Sequence, residues 1–134
     1  MQDGRSAFSA LSGHEYMLLT TYRKSGEAVP TPVWFAQAED RLYVMTDAEA
    51  GKVKRIHNRA DVEIAPSDGR GKVLGNAVQG RARILSPDEA AAARSALNAK
   101  YGWKKRMFDG MIRLRRAKVV HLEITPLEGD ASRV

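Results

Sequence analysis

The sequence predicts a small closed β-barrel with peripheral helices, mainly β in content (α+β), and three observations carry that expectation. About six short apolar or β-branched runs, each bounded by turn residues, read as strands. One basic helical segment falls between the third and fourth of them, and a longer helical stretch precedes the last. A parallel α/β sheet is disfavoured, because every parallel neighbour needs a crossover connection.

The 134-residue length predicts one domain over 1–134. Apolar residues at 43% and charged residues at 28% are those of an ordinary packed globule. The longest apolar runs fall far short of the ~20 residues that cross a bilayer. With no signal-type block at the N-terminus, the expectation is a cytoplasmic chain with no membrane partner. The absence of cysteine excludes disulfides, thiolate metal sites and a Cys nucleophile. A net charge of +6 favours acidic partners: a phosphorylated cofactor, a polyanionic tail or nucleic acid.

The elements follow in order. Ser6, Ala7, Phe8, Ala10 and Leu11 suit a short helix that Gly13 ends. Tyr16 to Tyr22 and Ala28 to Ala36 are two strands around the turn residues Lys24-Ser25-Gly26-Glu27. Leu42 to Thr46 adds a third, completing a meander. Asp47 is a candidate cap for a helix with Val53 and Ile56 on its apolar side and Lys52, Arg55 and Arg59 on the other. Asp61 to Pro66 is the next strand, Ser67 to Gly75 a glycine-containing bend, and Asn76 to Leu85 a long fifth strand. Ser86-Pro87-Asp88-Glu89 carries a capping-box pattern ahead of an Ala-rich helix to Lys100. Gly102 interrupts, a second helix is predicted from Trp103 to about Arg116, and Lys118 to Thr125 is the closing strand.

The usual catalytic constellations are missing. No Gly-x-Ser-x-Gly elbow occurs, and His14, His57 and His121 lack ligand-type spacing, so hydrolysis and metal chemistry are poor fits. The segment Gly69-Arg70-Gly71-Lys72-Val73-Leu74-Gly75 lacks the ending of a P-loop and the spacing of a dinucleotide fingerprint, and reads as a bend needing positive φ. Lys52, Lys54 and Arg55 are more informative, since cations beside a strand end can meet a phosphate while the helix stays docked. Pro30 and Pro32 within one strand imply an edge, a bulge or a ligand-facing backbone; Trp34 suits either that face or the core. Lys104, Lys105, Arg106, Arg113, Arg115, Arg116 and Lys118, interleaved with Trp103, Met107, Phe108, Met111, Ile112 and Leu114, form a second basic cluster. Solvated charge and anion binding are both open for it. Low aromatic content, 7%, and the lack of a recognised motif argue against nucleic acid.

Leu19-Thr20-Thr21, Thr31-Pro32-Val33-Trp34-Phe35, Gly51-Lys52-Val53-Lys54-Arg55-Ile56, Gly69-Arg70-Gly71 and Gly80-Arg81-Ala82-Arg83-Ile84-Leu85 resemble the pyridoxamine-phosphate-oxidase class of flavin and deazaflavin oxidoreductases. The likeness is to the branch using coenzyme F420 and extends through Lys100-Tyr101-Gly102, Phe108-Asp109 and Arg113-Leu114-Arg115-Arg116. It implies a split β-barrel of the FMN-binding-protein type, a homodimer with cofactor sites at the subunit interface, and F420 or alternatively FMN lying against Pro30, Thr31, Pro32, Val33 and Trp34. By the same resemblance Lys52 and Lys54 hold the cofactor phosphate with Arg55 helping, Met45 and Thr46 border the ring and ribityl region, and Asn76 approaches from the fifth strand. Arg70 and Lys72 are then candidates for an acidic cofactor tail. The implied activity is hydride transfer between reduced deazaflavin and a small organic substrate, with no essential protein acid or base. An FMN-dependent oxidase or reductase and a non-catalytic F420-binding protein are the alternatives.

Overall fold

A computed structural model describes residues 8–102 and 118–127. The described chain forms seven antiparallel strands: β1 (Tyr16–Tyr22), β2 (Ala28–Trp34), β3 (Ala36–Ala38), β4 (Arg41–Asp47), β5 (Asp61–Ser67), β6 (Val78–Ile84) and β7 (Val119–Pro126). Two helices accompany them, α1 (Gly51–Asn58) and α2 (Ala90–Tyr101). The strands form one curled sheet in the order β2-β1-β5-β6-β7-β4-β3, the split-barrel architecture with one strand more than expected.

The additional strand arises where Ala28 to Ala36 was expected to run unbroken. The chain leaves the ladder with β1 after Trp34, which faces Tyr16, and joins β4 at Ala36, which faces Tyr43. The two edges of the sheet are therefore consecutive in sequence and joined through Phe35 alone. A residue between ladders has no strand partner for its backbone N–H and C=O, and a buried pair of this kind must be satisfied otherwise. Phe35 is 1% exposed. Its N–H donates to the Tyr101 hydroxyl at 2.8 Å, and that hydroxyl stands 2.7 Å from both the Phe35 and the Glu15 carbonyl oxygens, sharing its proton with them. Burial raises the Tyr101 pKa, so the hydroxyl stays protonated.

Inward-facing residues build the barrel core. Met17 and Leu19, Leu42 and Val44, Val62 and Ile64, and Leu122 and Ile124 alternate inward along their strands, with Phe8, Leu11 and Phe35 beside them. Gly80 on β6 lets β7 close in: a Cβ there would lie 2.9 Å from Ile124 Cγ2 and 3.0 Å from the Thr125 carbonyl. Helix α1 packs over β1 and β6 and inserts Ile56 into the core, while α2 lies on the outer face of β3, β4 and β7 through Ala93, Leu97 and Tyr101.

Local signals were partly displaced. The helix expected from Ser6 begins outside the described residues; Ser9–Leu11 makes a single 3-10 turn. Asp47 does not cap α1, because it still belongs to β4 and pairs with Val119. Its carboxylate instead accepts the Glu49 N–H at 2.8 Å, shaping the turn to Ala50, which occupies the cap position. The capping box forms as predicted, Ser86 Oγ accepting from Glu89 N–H and Glu89 Oε1 from Ser86 N–H, one turn ahead of the regular α2 helix. Glu89 also receives Arg83, which with Arg41 satisfies the buried carboxylate of Glu123 on β7. The fifth strand begins at Val78 rather than Asn76. The predicted helix from Trp103 to about Arg116, with its basic cluster, lies outside the described residues. No helix among the described residues is long and apolar enough to cross a membrane.

Tyr101→Phe removes the acceptor for the Phe35 N–H and a donor to two carbonyls. Since a buried polar group left unsatisfied costs about 1–3 kcal/mol, the midpoint of urea unfolding should fall by a corresponding amount with little change in slope. An unchanged midpoint would mean that the corner is held by other contacts.

Candidate anion and cofactor site

The cations of α1 separate by helical geometry. Lys52 and Arg55, three positions apart, lie on the same side and are half-buried; Lys54, about 200° around the helix from Lys52, is exposed. Lys52 Nζ donates to Thr46 Oγ1 at 3.3 Å, and Arg55 Nε donates to Thr21 Oγ1 at 2.6 Å. Both threonines are buried and point inward at the barrel end, Thr21 in line with Met17 and Leu19, Thr46 in line with Leu42 and Val44. Alternation along a strand identifies Thr21 as an inward polar residue, yet nothing local tells which helix will lie above it.

Among the described residues neither Lys52 nor Arg55 forms a salt bridge; each has a neutral hydroxyl as partner. Burial lowers the Lys52 pKa, Arg55 lowers it further by repulsion, and Asp47 opposes the shift. Arg55 is likewise lowered, by burial and then by Arg23. Two partly desolvated cations with no salt-bridge partner among the described residues, Asp47 acting on Lys52 only from a distance, make an environment that an anion improves.

Strand β2 lies at the sheet edge and starts beside this cradle, Val29 facing Thr21 across the ladder. Proline is tolerated here because every second N–H of an edge strand faces away from its neighbour. Thr31 and Val33 pair with the core residues Leu19 and Met17; Pro30, Pro32 and Trp34 point to the other face. From Val29 to Trp34 the strand runs roughly 17 Å at about 3.3 Å per residue. At its far end Trp34 stacks on Tyr101, ring centroids 4.6 Å apart and planes 13° from parallel. Met45 packs with Trp34 against α2, so Met45 and Thr46 serve opposite faces of β4.

The glycine-rich bend is organised by Asp68, whose Oδ1 accepts the N–H groups of Arg70 and Lys72 at 2.9 Å each. These bonds lower the Asp68 pKa. Gly71, at φ +93°, has Leu18 and Pro32 as its nearest side-chain neighbours, so the bend leans on the outer face of β1 and β2. Arg70, Lys72, Val73, Leu74 and Asn76 are exposed on this bend. No group of three His, Asp or Glu residues suited to a metal occurs among the described residues.

The family model for pyridoxamine 5'-phosphate oxidase matches residues 6–129. The chain belongs to that family. Among solved structures, family-like neighbours include an FAD-binding protein of Mesorhizobium loti, with TM-score 0.65 and 12% identity over 89% of this chain and 84% of that one. The heme storage protein HutZ of Vibrio cholerae has TM-score 0.67 and 13% identity, covering 87% and 84% of the two chains. General stress protein 26 of Bacillus anthracis has TM-score 0.61 and 20% identity, covering 94% and 90%. At these identities the likeness is one of fold, and the functions of these neighbours differ. A comparison with curated proteins finds no match.

Lys52 has a folded pKa below its unfolded value, so its charge opposes folding at neutral pH, and stability rises as pH climbs through the lowered value toward 10.5. Lys52→Met should therefore raise the thermal midpoint of the ligand-free protein at pH 7. The gain should shrink between the lowered pKa and pH 10.5. A midpoint that falls at pH 7 would contradict the uncompensated-cation reading.

Proposed function

We propose that this family member is an F420-dependent oxidoreductase acting on a small organic substrate. The observation carrying the proposal is the pair Lys52 and Arg55, half-buried side by side and bonded, among the described residues, to Thr46 and Thr21 alone. That donor set fits a phosphate group: an ammonium and the remaining guanidinium N–H groups, positioned by the two buried hydroxyls. The strand Pro30 to Trp34 leads away from it and suits an extended molecule with its anionic end at the cradle and its flat ring along β2. An edge strand with prolines at alternate positions offers carbonyl acceptors rather than N–H donors, which suits the N–H edge of a pyrimidine-like ring.

When bound, the deazaflavin supplies the hydride chemistry. The chain's own residues grip the phosphate, orient the ring along β2 and exclude water from it. Lys54 and Asn76, both exposed, are proposed as contacts to parts of the cofactor outside the cradle, and Arg70 and Lys72 serve an acidic tail on the cofactor. Cofactor sites at the interface of a homodimer belong to the same proposal, supported by Val73 and Leu74, 50% and 51% exposed on the bend that leans on β2.

FMN is the second reading. Phosphate recognition does not distinguish the ring that follows it, and flavin binding is the property named for the Mesorhizobium loti neighbour. A non-catalytic F420 carrier shares the same cradle and is separated by its failure to turn over any acceptor.

Calorimetric titration of the apoprotein with F420 and FMN in parallel tests the proposal; tighter binding of F420 is the expected result. Loss of a hydrogen bond to a charged group is worth about 1.5–3 kcal/mol, so Lys52→Ala should weaken the preferred cofactor roughly 10- to 100-fold. Unchanged affinity would remove the phosphate role. Leu74→Lys should shift the light-scattering mass from dimer to monomer; a monomeric wild type would end the interface proposal.

A further inference from the structure

Gly51 opens α1, and its backbone does not explain the choice of glycine. It has none of the positive φ found at Gly13, Gly26, Gly71 and Gly102. A side chain there would be conformationally ordinary, and alanine is the better helix former. What a side chain would meet is Arg55. A Cβ at position 51 would lie 2.7 Å from Arg55 Nη1, 3.6 Å from Cζ and 3.8 Å from Nη2. The guanidinium thus folds back across the first turn of its own helix, while its Nε reaches Thr21 Oγ1 at 2.6 Å.

This pose is electrostatically unfavourable in the protein alone. A helix N-terminus carries partial positive charge, and cations are favoured at the opposite end. The guanidinium also sits near Lys52 and Arg23, both of which act against its charge or suffer from it. A free arginine on a helix surface has other rotamers that reach water. The Thr21 bond holds it in the one that lies over Gly51, and the empty volume there permits it.

We propose that Gly51 is a positioning residue for anion binding: its missing side chain is the space that lets the Arg55 guanidinium lie over the start of α1 and act with Lys52 on one anionic group. This rests on the phosphate reading of the cradle. Because the clash involves the far end of a flexible side chain, alanine at 51 moves the guanidinium at little cost to the fold. The substitution should leave thermal stability unchanged or raised.

Two measurements on Gly51→Ala test the proposal. The first needs no ligand: in 15N-edited NMR spectra, the Arg55 Nε–H resonance, identified by its loss in Arg55→Lys, should be shifted and should exchange faster with solvent in Gly51→Ala. The second compares affinities for FMN and riboflavin, whose ratio isolates the phosphate. Gly51→Ala should reduce that ratio about tenfold in the wild-type background and have no further effect in Arg55→Ala. An unmoved Arg55 resonance, or an equal loss of ratio with and without Arg55, overturns the positioning role. If Lys52→Ala and Arg55→Ala leave the ratio intact while Gly51→Ala moves the resonance, the geometry stands and the phosphate reading fails.

Discussion

The barrel depends on a single corner, at which the chain crosses from one edge of the sheet to the other through Phe35. Both edges meet there because β2 and β3 are successive in sequence but first and last in strand order. The cost of such a crossing is a buried peptide with no ladder on either side. Tyr101 meets it from α2, sixty-six positions away, with one hydroxyl that both accepts and donates. The same ring stacks on Trp34, and the neighbouring Lys100 holds its ammonium 3.5 Å from the centre of the Phe35 ring while donating to the His14 carbonyl at 2.6 Å. The end of α2 therefore clamps the strand that borders the candidate site, so the position of Trp34 and the closure of the barrel are one structural fact.

At the opposite end of β2 the physics is reversed. Where the corner satisfies every polar group, the cradle holds two cations that form no salt bridge among the described residues. The nearby belt of Arg41, Arg83, Glu89 and Glu123 shows how the same barrel treats charges that serve structure: each guanidinium there faces a carboxylate. Lys52 and Arg55 face hydroxyls instead. Sites that bind ions are commonly destabilised when empty, and the contrast between the two clusters supports the proposal that Lys52 and Arg55 serve a ligand.

The barrel class, most strand positions and the amphipathic nature of α1 were legible because they depend on alternation and turn residues, which are local. The pairing of Lys52 with Arg55 was legible in principle from a spacing of three. Lys54, which the resemblance groups with them, lies about 200° around the helix from Lys52 and is exposed. Met45 and Thr46 illustrate the same limit: adjacent in sequence, they lie on opposite faces of β4, one beneath α2 and one beside α1.

By itself the sequence determined the run of antiparallel strands, the basic helix α1, the capping box at Ser86 and Glu89 and the family to which these motifs belong. Each follows from interactions a few residues apart, or from side-chain periodicity. The tertiary structure decided where a continuous strand changes partners, which threonines receive the cations, and why Gly51 lacks a side chain. Those outcomes depend on contacts between Thr21 and Arg55, or Phe35 and Tyr101, that arise only once the sheet has curled and the helices have docked, and no local pattern encodes that closure.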